Sequence, residues 1–209
     1  MSDNRNAIVM KLAKFRHFYL PADNTSFADK KPMVVWRGGE HNVMRRALVG
    51  RYQRHPLCDI GFTNVRSTDS GFARFMRPVE QMTFRYIISI EGNDVATNLK
   101  WILASNSLCV MPQPKYETWF MEGRLEAGKH FVKVRDDFAD LEDKLLYYGR
   151  HDDEALEIIR HANDHAAQFF DERRERLISL LILAKYFALT DQFKPVGPAA
   201  ELIFQQQRN

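Results

Sequence analysis

The sequence predicts an α/β domain built on a parallel sheet. Three observations carry that prediction. Short continuous apolar runs recur, "MVVW" at 33–36, "FRYIISI" at 84–90 and "SLCVM" at 107–111. Such runs have the length and content of strands buried on both faces. Segments of helical spacing separate them. Two of the runs stop at polar, glycine-bearing turns, "RGG" and "EGND", and open parallel sheets keep their ligands outside the carboxyl ends of their strands.

Taken in order, residues 6–17 place Ile8, Leu12 and Phe15 at helical spacing. "LPADNTSFADKKP" follows as a loop rich in turn formers. "MVVW" is a buried strand. "HNVMRRALVGRY" has helical spacing with Asn42 at its start. Residues 57–62 form a second short strand, and 63–81 are irregular and polar. "FRYIISI" is the clearest strand of the chain. "ATNLKWILAS" is the next helix and "SLCVM" the next strand. "YETWFMEGRL" is read as a short helix and "HFVKV" at 130–134 as another strand. "DFADLEDKLLYYG" opens on a capping signal and ends near Gly149. Two further helices fill 152–190, and the last residues form a tail with one apolar patch. Neither an internal repeat nor a low-complexity tract is present.

The chain has 209 residues, of which 45% are hydrophobic and 27% charged, with a net charge of +3. That suits a globular chain with a core of its own. The charge is too small to argue for nucleic acid; only the arginines between Arg45 and Arg54 point that way. The first residues lack the apolar centre and cleavage site of a signal peptide. "LISLLILAKYFAL" is too short for a membrane span and holds Lys185. Cys58 and Cys109 read as buried thiols in a reducing, cytoplasmic setting.

Two turns hold the candidate chemistry. In "WRGG", Gly38 and Gly39 let a ligand approach the backbone. Arg37 offers a fork of donors for phosphate oxygens, with Arg45 and Arg46 on the helix that follows. A helix N-terminus itself favours an anion. The same residues also fit a plain turn beside a surface arginine. In "EGNDVATNLK", Gly92 permits a tight turn, Asn93 and Asp94 can cap a helix, and Asn98 and Lys100 follow where they can face the same cleft. Here the alternative is an ordinary helix cap. Neither a dinucleotide fingerprint nor a P-loop is present. His161 and His165 are four apart without the remainder of a zinc motif, so no metal site is assigned. Trp36, Trp101 and Trp119 lie beside the polar turns and read mainly as core, with one able to stack on a base or sugar ring. No nucleophile triad and no acid–base carboxylate pair can be named.

"KKPMVVWRGG…RRALVGRY", followed by "YIISIEGNDVATNLKW", "SNSL" and "ETWFMEG", resembles glycosyltransferase family 90, in particular its bacterial lipopolysaccharide-modifying branch. The resemblance runs from about Leu12 to Phe187. It implies a GT-B type architecture, in which this chain is the Rossmann-like, donor-binding C-terminal half. Residues 1–30 then read as a remnant of the N-terminal domain or a linker, 31–190 as the nucleotide-sugar-binding domain and 191–209 as a tail. The implied reaction moves a hexose from a nucleotide-sugar, usually UDP-linked, to a lipopolysaccharide core acceptor. It is inverting, needs no obligatory metal or other cofactor, and takes place in the cytoplasm at the inner membrane face.

The resemblance assigns Arg37, Gly38, Gly39 and Arg45 to the donor diphosphate. It assigns Gly92, Asn93, Asp94, Ala96, Thr97, Asn98 and Lys100 to the loop and helix start that wrap the nucleotide. The small polar residues, Ser105-Asn106-Ser107 among them, would leave room for diphosphate and ribose. Asn98 replaces an arginine of the eukaryotic branch, which shifts phosphate work onto Lys100 or Arg45. Family members carry their catalytic aspartate in a longer N-terminal region, and no residue here matches it. The competing class is a non-catalytic nucleotide- or glycan-binding half domain.

Overall fold

A computed structural model describes residues 8–11, 20–192 and 197–198. The helix expected over 6–17 and the tail after 192 lie almost wholly outside the described residues. Two compact units divide the chain: residues 13–167, and residues 1–12 with 168–209.

The larger unit holds a five-stranded, all-parallel sheet in the order β2-β1-β3-β4-β5. Its strands are β1 (Lys31–Gly38), β2 (Cys58–Phe62), β3 (Phe84–Ile88), β4 (Leu108–Met111) and β5 (Val132–Lys133). The helices are α1 (Val43–Tyr52), α2 (Pro78–Gln81), α3 (Leu99–Leu103), α4 (Leu141–Tyr148) and α5 (Asp152–Ala167). The smaller unit holds α6 (Glu172–Leu189) and the Lys11–Glu175 ion pair at 2.6 Å. Among the described residues, no helix is long and apolar enough to cross a membrane.

The central residues of the strands are apolar because both faces are covered there. On one face Val34, Trp36, Tyr86, Ile88, Leu108 and Val110 pack with Leu48, Val49 and Tyr52 of α1 and Leu141 and Leu145 of α4. The alternate residues Val35, Ile87 and Cys109 are buried as well. The α/β reading therefore holds, and so does the reading of both thiols as free and buried. Burial pushes the Cys58 thiol up to about 12 and the Cys109 thiol higher still.

Three local expectations change. β1 continues through Arg37 to Gly38 instead of stopping before "RGG". The helix after "EGND" begins only at Leu99, so Asn93 and Asp94 do not cap it; Asp94 Oδ1 accepts from the adjacent Val95 N–H. "YETWFMEGRL" yields only a single 3-10 turn, Glu122–Arg124, after a left-handed Met121 with φ of 56°.

The connections make β1 and β3 neighbours although β2 lies between them in sequence. The chain leaves β1 towards one edge, returns, and continues on the other side. That reversal is a topological switch point, where helices on opposite sides part and leave a crevice at the strand tips.

Candidate functional site at the strand tips

The two suspicious turns meet at this switch point. Arg45, on the first turns of α1, reaches across it. Its Nη1 donates to the Gly39 carbonyl at 3.0 Å, its Nη2 to Ile90 at 2.9 Å and its Nε to Glu91 at 3.2 Å. Asn42 caps α1 by accepting from the Arg45 N–H at 3.0 Å, while its amide donates to the carbonyls of Glu91 and Gly92. The start of α1 is thus tied to the tip of β3 from two sides. Arg45 also lies over the Trp36 ring, 5.6 Å from its centroid. Burial lowers its guanidinium from the ordinary value. A guanidinium carries more N–H donors than these three contacts use, so one hydrogen on each terminal nitrogen remains for a further acceptor.

Arg37 is placed differently. It donates to the carbonyls of Arg74, Trp36 and Asp59 and forms an ion pair with the Asp59 carboxylate. Nearly all its donors hold β1 to β2 and to the loop after β2. Gly38 and Gly39 are half-buried, and a Cβ on Gly38 would meet the Trp36 ring at 2.6 Å. The Trp36 ring therefore bars a side chain at Gly38, and the His41 ring crowds one at Gly39.

Along "EGNDVATNLK", Asn93, Asp94 and Thr97 are exposed and Ala96 is buried. A Cβ on Gly92 would lie 3.2 Å from Arg45 Nη2, so the glycine is what lets the guanidinium approach. Asn98 turns back to the sheet: its amide donates to the Ile88 carbonyl and its oxygen accepts from the Ser89 hydroxyl. Lys100 departs from expectation most. It does not face the cleft. It is 1% exposed and its ammonium pairs with Glu122 at 3.2 Å, above the Phe120 ring. A residue two positions into a helix packed on the sheet points into the protein, however close it follows the loop in sequence. Ser105-Asn106-Ser107 lies at the opposite, amino-terminal edge. There the Ser107 hydroxyl donates to Phe84 and Asn106 fastens Asp23 and Thr25.

Beside the Arg45 junction, at the tips of β3 and β4, is a narrow cleft of about 20 Å³, room for a single hydroxyl- or water-sized group. Ser89, Glu91 and Ala96 line it on one side, Gln113 and Pro114 on another, and Glu122 at depth. Glu91 accepts from the backbone N–H groups of Lys115 and Tyr116 at 3.0 and 3.1 Å, which joins the β3 and β4 tips. Glu122 accepts from Thr118 N at 2.6 Å and from the Thr118 hydroxyl at 2.7 Å. Glu91, Gln113 and Glu122 were not candidates by sequence. The available signal was a single carboxylate closing the apolar run Trp119-Phe120-Met121. Trp36 and Trp101 are core, as read, and Trp119 is half-buried. Among the described residues no group of His, Cys, Asp and Glu side chains is placed to hold a metal ion.

Residues 12–201 match the model of Glycosyl transferase family 90. This chain belongs to that family. O-glucosyltransferase LpsA of Dichelobacter nodosus is 49% identical over 190 residues, 90% of this chain and 60% of its own length. Protein O-glucosyltransferase 3 of Homo sapiens is 24% identical over 189 residues, 87% of this chain and 37% of its own. The rat protein of the same name is 24% identical over 168 residues. The family 90 chain described here thus spans about 60% of the length of LpsA.

Proposed function

We propose that this chain is the nucleotide-sugar-binding half of a GT-B type glycosyltransferase. It moves a hexose from a UDP-sugar to a hydroxyl of a lipopolysaccharide core sugar, with inversion and without an obligatory metal. The names of the relatives favour glucose as the hexose. The observation that carries the reading is the Arg45 bridge across the β1/β3 switch point, the position at which open α/β sheets bind nucleotides.

The diphosphate lies against the Gly38–Gly39 turn, the start of α1 and the free hydrogens of Arg45, with Gly92, Asn93, Asp94, Ala96 and Thr97 around the nucleoside. Arg37, Asn98 and Lys100 act from behind, as struts. Transfer places negative charge on the departing nucleotide. A guanidinium already fixed by three carbonyls, next to a helix N-terminus, is oriented before that charge develops and loses little in reorganising. The acceptor hydroxyl is deprotonated by a base from the acceptor side. The enzyme works in the cytoplasm, at the inner membrane face where its acceptor is anchored.

The test sets UDP binding beside UDP-sugar hydrolysis or transfer by the purified chain. Binding with turnover supports the reading as stated. Binding without turnover favours a non-catalytic nucleotide-binding half domain. No binding of UDP or UDP-sugar contradicts both.

A further inference from the structure

The cleft beside Arg45 is electrostatically unlike a phosphate site. Two carboxylate residues, Glu91 and Glu122, line it, and no Lys, Arg or His does. A diphosphate would be repelled there, whereas sugar hydroxyls, which donate hydrogen bonds, would be attracted. Glu122 is the deeper of the two, 2% exposed. Its Oε1 accepts from Lys100 Nζ at 3.2 Å and from the Thr118 hydroxyl at 2.7 Å, and its Oε2 accepts from Thr118 N at 2.6 Å. The same hydroxyl lies 3.0 Å from Oε2. It has one proton, so it serves one oxygen at a time. With that proton on Oε1, Oε2 keeps an acceptor site that no described residue fills.

The corner carrying this carboxylate is held firmly. Met121 sits in the left-handed region at φ 56° and ψ 53°, a conformation that costs a non-glycine residue energy and persists where its surroundings over-determine it. Here they do: His165 Nε2 lies 3.0 Å from the Phe120 carbonyl, Met121 N donates to Thr118, and Arg124 N donates to the Met121 carbonyl. Backbone strain is maintained just where the buried carboxylate is aimed.

We propose that Glu122 is a specificity-determining residue whose open Oε2 accepts a hydrogen bond from a sugar hydroxyl of the bound nucleotide-sugar. Lys100 and Thr118 set the orientation of the carboxylate. This rests on the donor-binding reading and adds a division of labour to it: phosphate at Arg45, sugar hydroxyls at Glu122. The hydroxyl can belong to the ribose or to the hexose, and the experiment separates them.

Calorimetry on the 209-residue chain compares UDP with its dideoxyribose analogue, and UDP-glucose with UDP. The wild-type chain prefers the hydroxyl-bearing member of one pair by about tenfold or more, the scale of one charge-assisted hydrogen bond. Preference in the first pair assigns the ribose and in the second the hexose. Glu122→Gln abolishes that preference and leaves the hydroxyl-poor ligand bound within about threefold. A second variant, Lys100→Met with Glu122→Gln, removes both buried charges together, so a folding defect of the single change does not decide the matter. Preference retained in the folded variants, or absent from a wild-type chain that binds UDP, overturns the Glu122 assignment alone. A wild-type chain that binds none of these nucleotides overturns the donor reading with it.

Discussion

At the scale of single residues, Arg37 and Arg45 show that a matching residue type does not fix a role. Both are half-buried arginines beside glycine turns. Arg37 is consumed by Asp59 and by carbonyls around β2, whereas Arg45 spans the two strand tips and keeps donors in hand. Replacing Arg45 with Ala should weaken UDP binding by about 1.5–3 kcal/mol, read by calorimetry. Arg45→Lys should fail to restore it, because an ammonium cannot hold three diverging carbonyls with the geometry of a planar fork. Arg37→Ala should act chiefly on the melting temperature; a loss of UDP affinity at unchanged stability would move Arg37 into the site. Lys100→Met alone leaves the Glu122 carboxylate buried without its cation and should cost about 3–5 kcal/mol in chemical denaturation. Adding Glu122→Gln should return most of it, since removing a buried pair as a unit is far milder than breaking it.

At the scale of elements, the loop after β3 works through what it omits. Gly92→Ala brings a methyl 3.2 Å from Arg45 Nη2, closer than ordinary contact. The guanidinium must give way, and UDP affinity should fall by about 1 kcal/mol at nearly unchanged melting temperature. Equal losses in both would mean that Gly92 serves the fold and not the site. The strands of this unit were legible because their apolar runs are short, continuous and bounded by turns. The switch point was legible only in part: "RGG" and "EGND" can be seen, but that β1 and β3 are neighbours follows from pairing, which no single stretch encodes. Lys100 and Ser105-Asn106-Ser107 were misplaced for one reason. Closeness in sequence to a strand tip does not say which way a helix turns its side chains, or at which edge of the sheet the next loop lies. Glu122 was missed because its partners, Lys100 and Thr118, matter only once the turn after Met121 is folded.

At the scale of the whole molecule, stability should depend on pH through two buried imidazoles. Burial holds His130 and His165 below the ordinary value of 6.5, His130 further opposed by His165 and Lys129. Their rings are 5.7 Å apart. Glu126 and His161 also face His130, and Glu122 and Arg124 face His165. As pH falls through about 6.5 the unfolded chain takes up protons that the folded chain still resists, so the unfolded state is favoured and stability drops. The contribution is fully present above pH 6.5 and is lost as the pH falls below it through the lowered folded-state values. Thermal melts should show that slope, and His130→Gln should flatten it; an unchanged slope would place the titrating groups elsewhere.

The central claim is that the turns after β1 and β3 converge on the diphosphate of an activated sugar. Amide hydrogen exchange with and without UDP tests it most directly. The account predicts slowed exchange at 38–45 and 91–98 together, with residues 105–107 at the far edge of the sheet unaffected. Protection that misses both strand-tip segments, or that appears at only one of them, would contradict it.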